Sequence, residues 1–178
     1  VGLINIAGID PSLTSTGIST SAGTEVIKTT LRGASRLSAV SRGVIELCEN
    51  LNIDLVIIES YSFASRNSQA HSIGELGGCI RMLLWESNIP FIDIPPTSRA
   101  KFATGKGNAG KSEVISAISS KTGILFSGGS ADDECDAWVL REMGIVKIGE
   151  SQYSWTKEQL SSLEKIDWSP LDTLLGEK

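Results

Sequence analysis

Two short apolar runs, each stopped by a carboxylate, constrain this chain more than any other feature. Residues 3–9 (LINIAGI) are almost continuously apolar and lead into Asp10-Pro11, and residues 53–59 (IDLVIIE) repeat the pattern and end at Glu59. Runs this brief and this rich in β-branched residues predict strands, the second buried on both faces. A carboxylate at the end of such a strand loses its hydration unless a cation or hydrogen-bond donors meet it. Two such strands, parallel and adjacent in one sheet, would bring both carboxylates to the same edge.

The rest of the pattern is that of an α/β protein. Residues 16–21 and 25–31, separated by Ala22-Gly23-Thr24, read as a hairpin. Over residues 34–52, Leu37, Val40, Val44, Leu47, Cys48 and Leu51 recur at helical steps. A second helix over 67–87 carries Ile73, Leu76, Ile80, Leu83 and Leu84 on one side, and also Gly74, Gly77 and Gly78. Each glycine costs about 1 kcal/mol relative to Ala in a helix interior. Something must therefore approach that helix closely, either its own sheet or a second copy of the helix across a dimer interface. Residues 90–94 form a fifth strand closed by Pro95-Pro96, and 111–122 and 131–143 read as further helices. In the tail, Thr156 and Gln159 form a capping box, with Trp155 and Leu160 placed as a hydrophobic staple. A last helix over 157–166 is expected to pack on the domain, as part of a C-terminal helical extension (150–178) of a domain spanning 1–149.

More acid follows in Ser130-Ala131-Asp132-Asp133-Glu134-Cys135-Asp136. Ser130 as an N-cap, with acids complementing the helix dipole, accounts for Asp132 and Glu134. It does not account for Asp136, which lies past the first turn and shares a helical face with Asp133. Four carboxylates, Asp10, Glu59, Asp133 and Asp136, without His or Cys partners, argue against zinc. They suit a hard cation such as Mg²⁺ or Mn²⁺. Paired ions of that kind carry out phosphoryl chemistry by steadying the attacking and leaving oxygens.

Composition at first opposes a nucleic-acid substrate. The 178 residues hold 16 Lys plus Arg against 21 Asp plus Glu, a net charge of −5, whereas phosphate contacts call for basic excess. The acidity is local, with 11 basic and 10 acidic residues before position 128 but 5 and 11 after it. Arg99, Lys101, Lys106, Lys111 and Lys121 form a basic strip opposed only by Glu113. Such a strip reads as a solvated face or as a phosphate contact. The three cysteines have no CxxC spacing, which argues against a disulfide scaffold or Cys-based zinc site and for a reducing, cytoplasmic location. No apolar run approaches a membrane span and no basic signal-peptide region opens the chain, so no membrane association is expected.

One motif is misleading. Gly105 to Ser112 (GKGNAGKS) satisfies the P-loop pattern letter for letter. A P-loop follows directly on a buried strand, whereas PPTSRAKFAT precedes this one. Two lysines on a glycine-rich turn leading into a helix favour phosphate whatever the ligand.

Taken together, GIDPSLTSTG (8–17), IIESYSFASRNSQAHSIGELGG (57–78), GKGNAGKSEV (105–114) and ADDECDAWVL (131–140) resemble, in order and spacing, the RuvC-type Holliday junction resolvases. The compact, divergent form is nearer a phage-encoded member. The resemblance implies an RNase H-like fold, a five-stranded mixed sheet with its first three strands antiparallel and flanked by helices. It implies a homodimer, joined through the glycine-bearing helix, that makes paired symmetric nicks in four-way DNA junctions using two Mg²⁺ ions, with Mn²⁺ substituting. Asp10, Glu59, Asp133 and Asp136 fall on the family's catalytic carboxylates, and Lys101 and Lys111 on its basic residues near the scissile phosphate. Lys111 would stabilise transition-state charge, and Lys106, Arg99 and Arg66 join Lys101 as DNA contacts. The family's wedge position is Ser62 here, leaving Tyr61 or Phe63 as the aromatic inserted at the junction. The only His, His71, lies on the helix, so a His metal ligand is excluded. A flap or branched-DNA nuclease on the same fold, a P-loop-like nucleotide-binding module and a non-catalytic junction-binding module stay open as alternatives.

Overall fold

The computed structural model describes residues 4–61 and 68–176. Five strands, Ile6–Asp10 (β1), Ser15–Thr20 (β2), Gly23–Lys28 (β3), Leu55–Glu59 (β4) and Phe91–Ile94 (β5), form one sheet in the order β3-β2-β1-β4-β5. The β1–β2 and β2–β3 pairs are antiparallel, and β1–β4 and β4–β5 are parallel. This is the mixed sheet the resemblance implies. The helices are Gly33–Asn50 (α1), Ser68–Glu86 (α2), Pro96–Thr104 (α3), Lys111–Thr122 (α4), Ala131–Lys147 (α5), Lys157–Leu160 (α6) and Ser169–Gly176 (α7).

Side-chain alternation along the strands decides which residues meet. Ala7, Ile9, Val56 and Ile58 point to the layer of α1 and α2, where they pack with Val44, Leu76, Ile80 and Leu84. Ile6, Leu55 and Ile57 point to the other layer, against Val139, Leu140 and Met143 of α5. Parallel pairing sets Ile9 opposite Ile58, so the next residues, Asp10 and Glu59, end their strands together and share the α5 side.

Two glycines let α5 lie almost on the backbone of β1 and β2. A Cβ added at Gly8 would stand 2.1 Å from the Ala137 carbonyl oxygen, and one at Gly17 would stand 2.1 Å from that of Asp133. Gly17 pairs directly with Asp10. The close approach that these glycines permit therefore also brings the acidic first turns of α5 to the sheet edge.

Three elements differ from expectation. The proline-initiated segment before the glycine turn, for which the sequence pattern gave no element, is α3, with Pro at its start, Ala100, Phe102 and Ala103 buried, and Gly105 in the left-handed conformation at its end. Pro at the first turn and Gly just past the last are a start and a stop signal. The short apolar spacing concealed them. The tail helix expected over 157–166 is shorter, α6 followed by a 3₁₀ turn at Ser161–Leu163, and α7 lies beyond it. The capping box forms as expected, but Trp155 turns to Phe102, their ring centroids 4.2 Å apart, while Leu160 is left exposed.

The tail joins the core of α3, α4 and α5 through Leu163, Ile166, Trp168 and Leu171. Buried Glu142 of α5 accepts a hydrogen bond from Ser151 Oγ, which in turn accepts one from Trp155 Nε1 at 3.2 Å. Lys121 Nζ sits 4.9 Å from the Trp155 ring centroid. Trp155→Ala is expected to lower the unfolding free energy by about 2 kcal/mol, somewhat less than for a fully buried Trp. A urea midpoint unchanged from wild type would show that the tail contributes nothing to the core.

Candidate active site

At the α5 side of the sheet edge lies a cleft lined by Asp10, Glu59, Asp133 and Asp136, with Arg99, Lys111, Tyr61 and Arg81 around it. The chain thus gathers into one place four acids that come from β1, β4 and α5. Asp10, Asp133 and Asp136 are buried, each 8% exposed or less. Burial pushes the Asp10 carboxyl well above the usual range, helped by Glu59, Asp136 and Asp133 and opposed by Arg99. Burial pushes Asp136 up to about 7, against the pull of Arg99. It raises Asp133 as well, although the Ser15 hydroxyl donates to that carboxylate and opposes the rise. Negative charge at this edge exceeds what the protein's own cations neutralise.

The largest departure from expectation is Arg99. It was placed with the DNA-contacting strip, but its side chain is only 11% exposed and points inward. Its Nε donates to Glu59 and its Nη1 to Asp136, bridging two of the four acids. The reason is α3: as a helix it turns Arg99 toward the sheet edge, where a buried cation is electrostatically favoured. As the side chains stand, no three Asp, Glu, His or Cys residues among those described are grouped to hold one ion. The donor set nonetheless fits a hard divalent cation, since it is all carboxylate oxygen, in one cleft, and short of positive charge.

The other members of the strip are divided among separate tasks. Lys111, at the start of α4, lines the cleft and donates to Asp132. Asp132, credited above to the helix dipole alone, therefore also holds Lys111. Lys101 pairs with Glu158 of α6 at 2.7 Å, and Lys106 with Glu113 at 3.1 Å. Lys121 donates to the Ser154 carbonyl oxygen at 2.7 Å. Exposed pairs of this kind are worth little, whereas the pairs of Arg99 are buried. The glycine turn 105–110 joins two helices, α3 and α4, with no strand leading into it. The strand that a P-loop requires is therefore missing.

Tyr61 is 41% exposed at the cleft mouth. Phe63 and Arg66, the other contacts expected on this segment, lie outside the described residues, as do Ser62 and Asn67. His71 is exposed on α2. Ser130 stands at the N-cap of α5 but makes no side-chain capping bond. Sequence reasoning missed Ser15, which donates to Asp133, and Arg81, which lines the cleft. Ser15 lies inside the quoted 8–17 motif, whereas nothing local singles out Arg81.

Comparison with known proteins agrees with this geometry. The family model for crossover junction endodeoxyribonuclease RuvC matches residues 6–137. The RuvC of Carboxydothermus hydrogenoformans is 27% identical over 114 residues, 64% of this chain and 72% of its own. That of Synechococcus sp. is 27% identical over 145 residues, 75% and 93% of the two chains. The structure of Thermus thermophilus RuvC in complex with Holliday junction substrate superposes with a TM-score of 0.65 at 21% identity, covering 85% of this chain and 100% of that one. A likeness at that identity shows a shared RNase H-like fold. Because the family match runs from β1 into α5 and so takes in all four cleft carboxylates, the chain belongs to the RuvC family of crossover junction endodeoxyribonucleases.

Proposed function

We propose that this protein resolves four-way DNA junctions by paired, symmetric nicks, using two Mg²⁺ ions that Mn²⁺ can replace. The observation that carries the reading is the convergence of Asp10, Glu59, Asp133 and Asp136 in one cleft that also presents Lys111, in a chain of this family. Asp10, Glu59, Asp133 and Asp136 would hold the ions. Bound there, divalent cations supply a nucleophilic water at neutral pH and stabilise the oxygens of an in-line displacement.

The chain's own residues do the rest. Lys111, 66% exposed, can leave Asp132 for the extra charge that develops on the phosphate. Ser15 fixes the Asp133 carboxylate by hydrogen bonding, so that acid does not rotate freely. Lys101 and Lys106 meet flanking phosphates, Tyr61 and Phe63 supply aromatic surface at the branch point, and Arg66 adds a cation to that segment. The homodimer uses the outer face of α2, where Met82 and Trp85 are 53% and 77% exposed. Exposed large apolar groups neighbouring on one helix are what an interface covers.

The test is to incubate the protein with a synthetic four-way junction, with and without Mg²⁺, and map the nicks. Symmetric, ligatable, metal-dependent nicks are expected, and Trp85→Glu should convert them to slow, unpaired ones while sedimentation shows a monomer. Scattered cuts, or faster cutting of flaps than of junctions, would favour a broader branched-DNA nuclease. No cutting with metal present would overturn the proposal.

A further inference from the structure

The structure assigns Arg81 the role of a positioning residue: it seats the Tyr61 ring at the cleft mouth and ties that ring to the strand end that carries Glu59. The inference rests on the DNA-cleaving reading of the site and adds to it a stacking platform with a defined support.

Four observations meet at this guanidinium. Arg81 Nε and Nη2 both donate to Asp93 Oδ1, at 2.9 and 2.5 Å, which anchors the side chain to β5. Nη2 also donates to the Glu59 carbonyl oxygen at 3.0 Å. The Arg81 Cζ lies 4.8 Å from the Tyr61 ring centroid, within cation–π range. Finally, Nη1 is buried with no hydrogen-bond partner among the described residues. Burying a donor in this way is unfavourable, so the position is held by the other contacts.

The glycines of α2 now have a use inside the chain. A Cβ at Gly74, Gly77 or Gly78 would lie 3.5, 3.3 or 3.6 Å from the nearest Tyr61 atom, and at Gly77 only 2.7 Å from Arg81 Nη1. The sequence suggested the sheet or a second helix as the close neighbour. Within the chain the close neighbours are Tyr61 and Arg81, on the flank of α2 that faces the cleft.

Tyr61 stands two residues after Glu59, lines the same cleft as the carboxylates and keeps 41% of its surface exposed. An aromatic ring on a segment that leaves a strand ordinarily loses rotamer freedom when a base stacks on it. Here the glycines and Arg81 have already fixed the ring. A nucleobase beside the scissile phosphate would therefore meet a preset surface, and stacking of this kind is tolerant of base identity. Through the Glu59 carbonyl the same guanidinium fixes the distance between that surface and the acid.

A double-mutant cycle on the full chain tests this, with a four-way junction carrying 2-aminopurine at the crossover. Tyr61→Leu and Arg81→Met should each slow nicking about tenfold, and the double variant should be no slower than either single one. Both should also lose the 2-aminopurine fluorescence change that wild type produces on binding, a readout that a general loss of stability would not move. Arg81→Lys, which keeps the charge beside the ring, should recover part of both signals. Gly77→Ala should reproduce the Arg81→Met defect, because the added methyl would stand 2.7 Å from Arg81 Nη1 and 3.3 Å from the Tyr61 ring and so displace both. Losses that multiply to about a hundredfold in the double variant, or an intact 2-aminopurine response in Arg81→Met, would overturn the inference. Nicking by the wild type tests the function reading separately.

Discussion

Asp10→Asn is expected to abolish nicking of a four-way junction, by about a thousandfold or more, while making the metal-free protein more stable at pH 8. Asp10 is buried among three other acids, and both its burial and its neighbours favour the neutral form. In the unfolded chain the same carboxyl is solvated and ionises readily. The folded protein therefore holds protons that the unfolded chain releases, and stability falls as pH rises between the two ionisations. For Asp136 that interval runs from the ordinary carboxylate range to about 7, so the penalty is fully present above pH 7, shrinks as pH falls, and is absent only below the ordinary carboxylate range. Wild type in EDTA should accordingly melt higher near pH 5 than at pH 8. Asp10→Asn should flatten that dependence, because one of the ionising acids is gone. Junction binding should survive the substitution, since it leaves Lys101 and Lys106, the proposed contacts to flanking phosphates, untouched. Residual nicking near the wild-type rate, or a variant less stable than wild type at pH 8, would refute the assignment of Asp10.

Arg99→Met should have the opposite effect on the metal-free protein. Arg99 bridges Glu59 and Asp136 with its side chain 11% exposed. Removing one member of a buried ion pair typically costs about 3–5 kcal/mol, because the remaining charge is left uncompensated. For a chain of this size that is a fall of roughly 6–20 °C in thermal midpoint, measured in EDTA at pH 8. Mg²⁺ or Mn²⁺ should then stabilise the variant more than it stabilises wild type, because the acids no longer have a resident countercharge to exchange. A midpoint equal to that of wild type in EDTA would mean that Arg99 does not neutralise the site. Together the two substitutions separate the roles: an acid at this edge favours catalysis at the expense of stability, and Arg99 offsets part of that expense.

Much of this was legible in the chain alone. Strands β1 and β4, the hairpin β2–β3, the amphipathic α1 and the acid-rich start of α5 follow from apolar period and turn residues. The four carboxylates were identifiable because an acid at the end of an apolar strand, or past the first turn of a helix, has no cheap local explanation. Helix α3 was concealed because PPTSRAKFAT carries its few apolar residues at irregular steps, and its start and stop residues were the better signal.

The basic strip shows most clearly where local reading ends. Arg99, Lys101, Lys106, Lys111 and Lys121 look alike in sequence, yet one neutralises the acids, one meets Asp132 beside the cleft, and Lys101 and Lys121 bind the tail. Their partners lie 21 to 57 positions away along the chain in these four cases, too far for helical or strand period to register. The same holds for Arg81, whose contacts with Glu59, Tyr61 and Asp93 converge from separate elements. By itself the sequence determined which residues are apolar, where strands end in acid, and hence the fold and the carboxylate set. Only the tertiary structure decided which cation meets which acid, because that depends on helix rotation and on how closely α5 and α2 approach their neighbours across glycine.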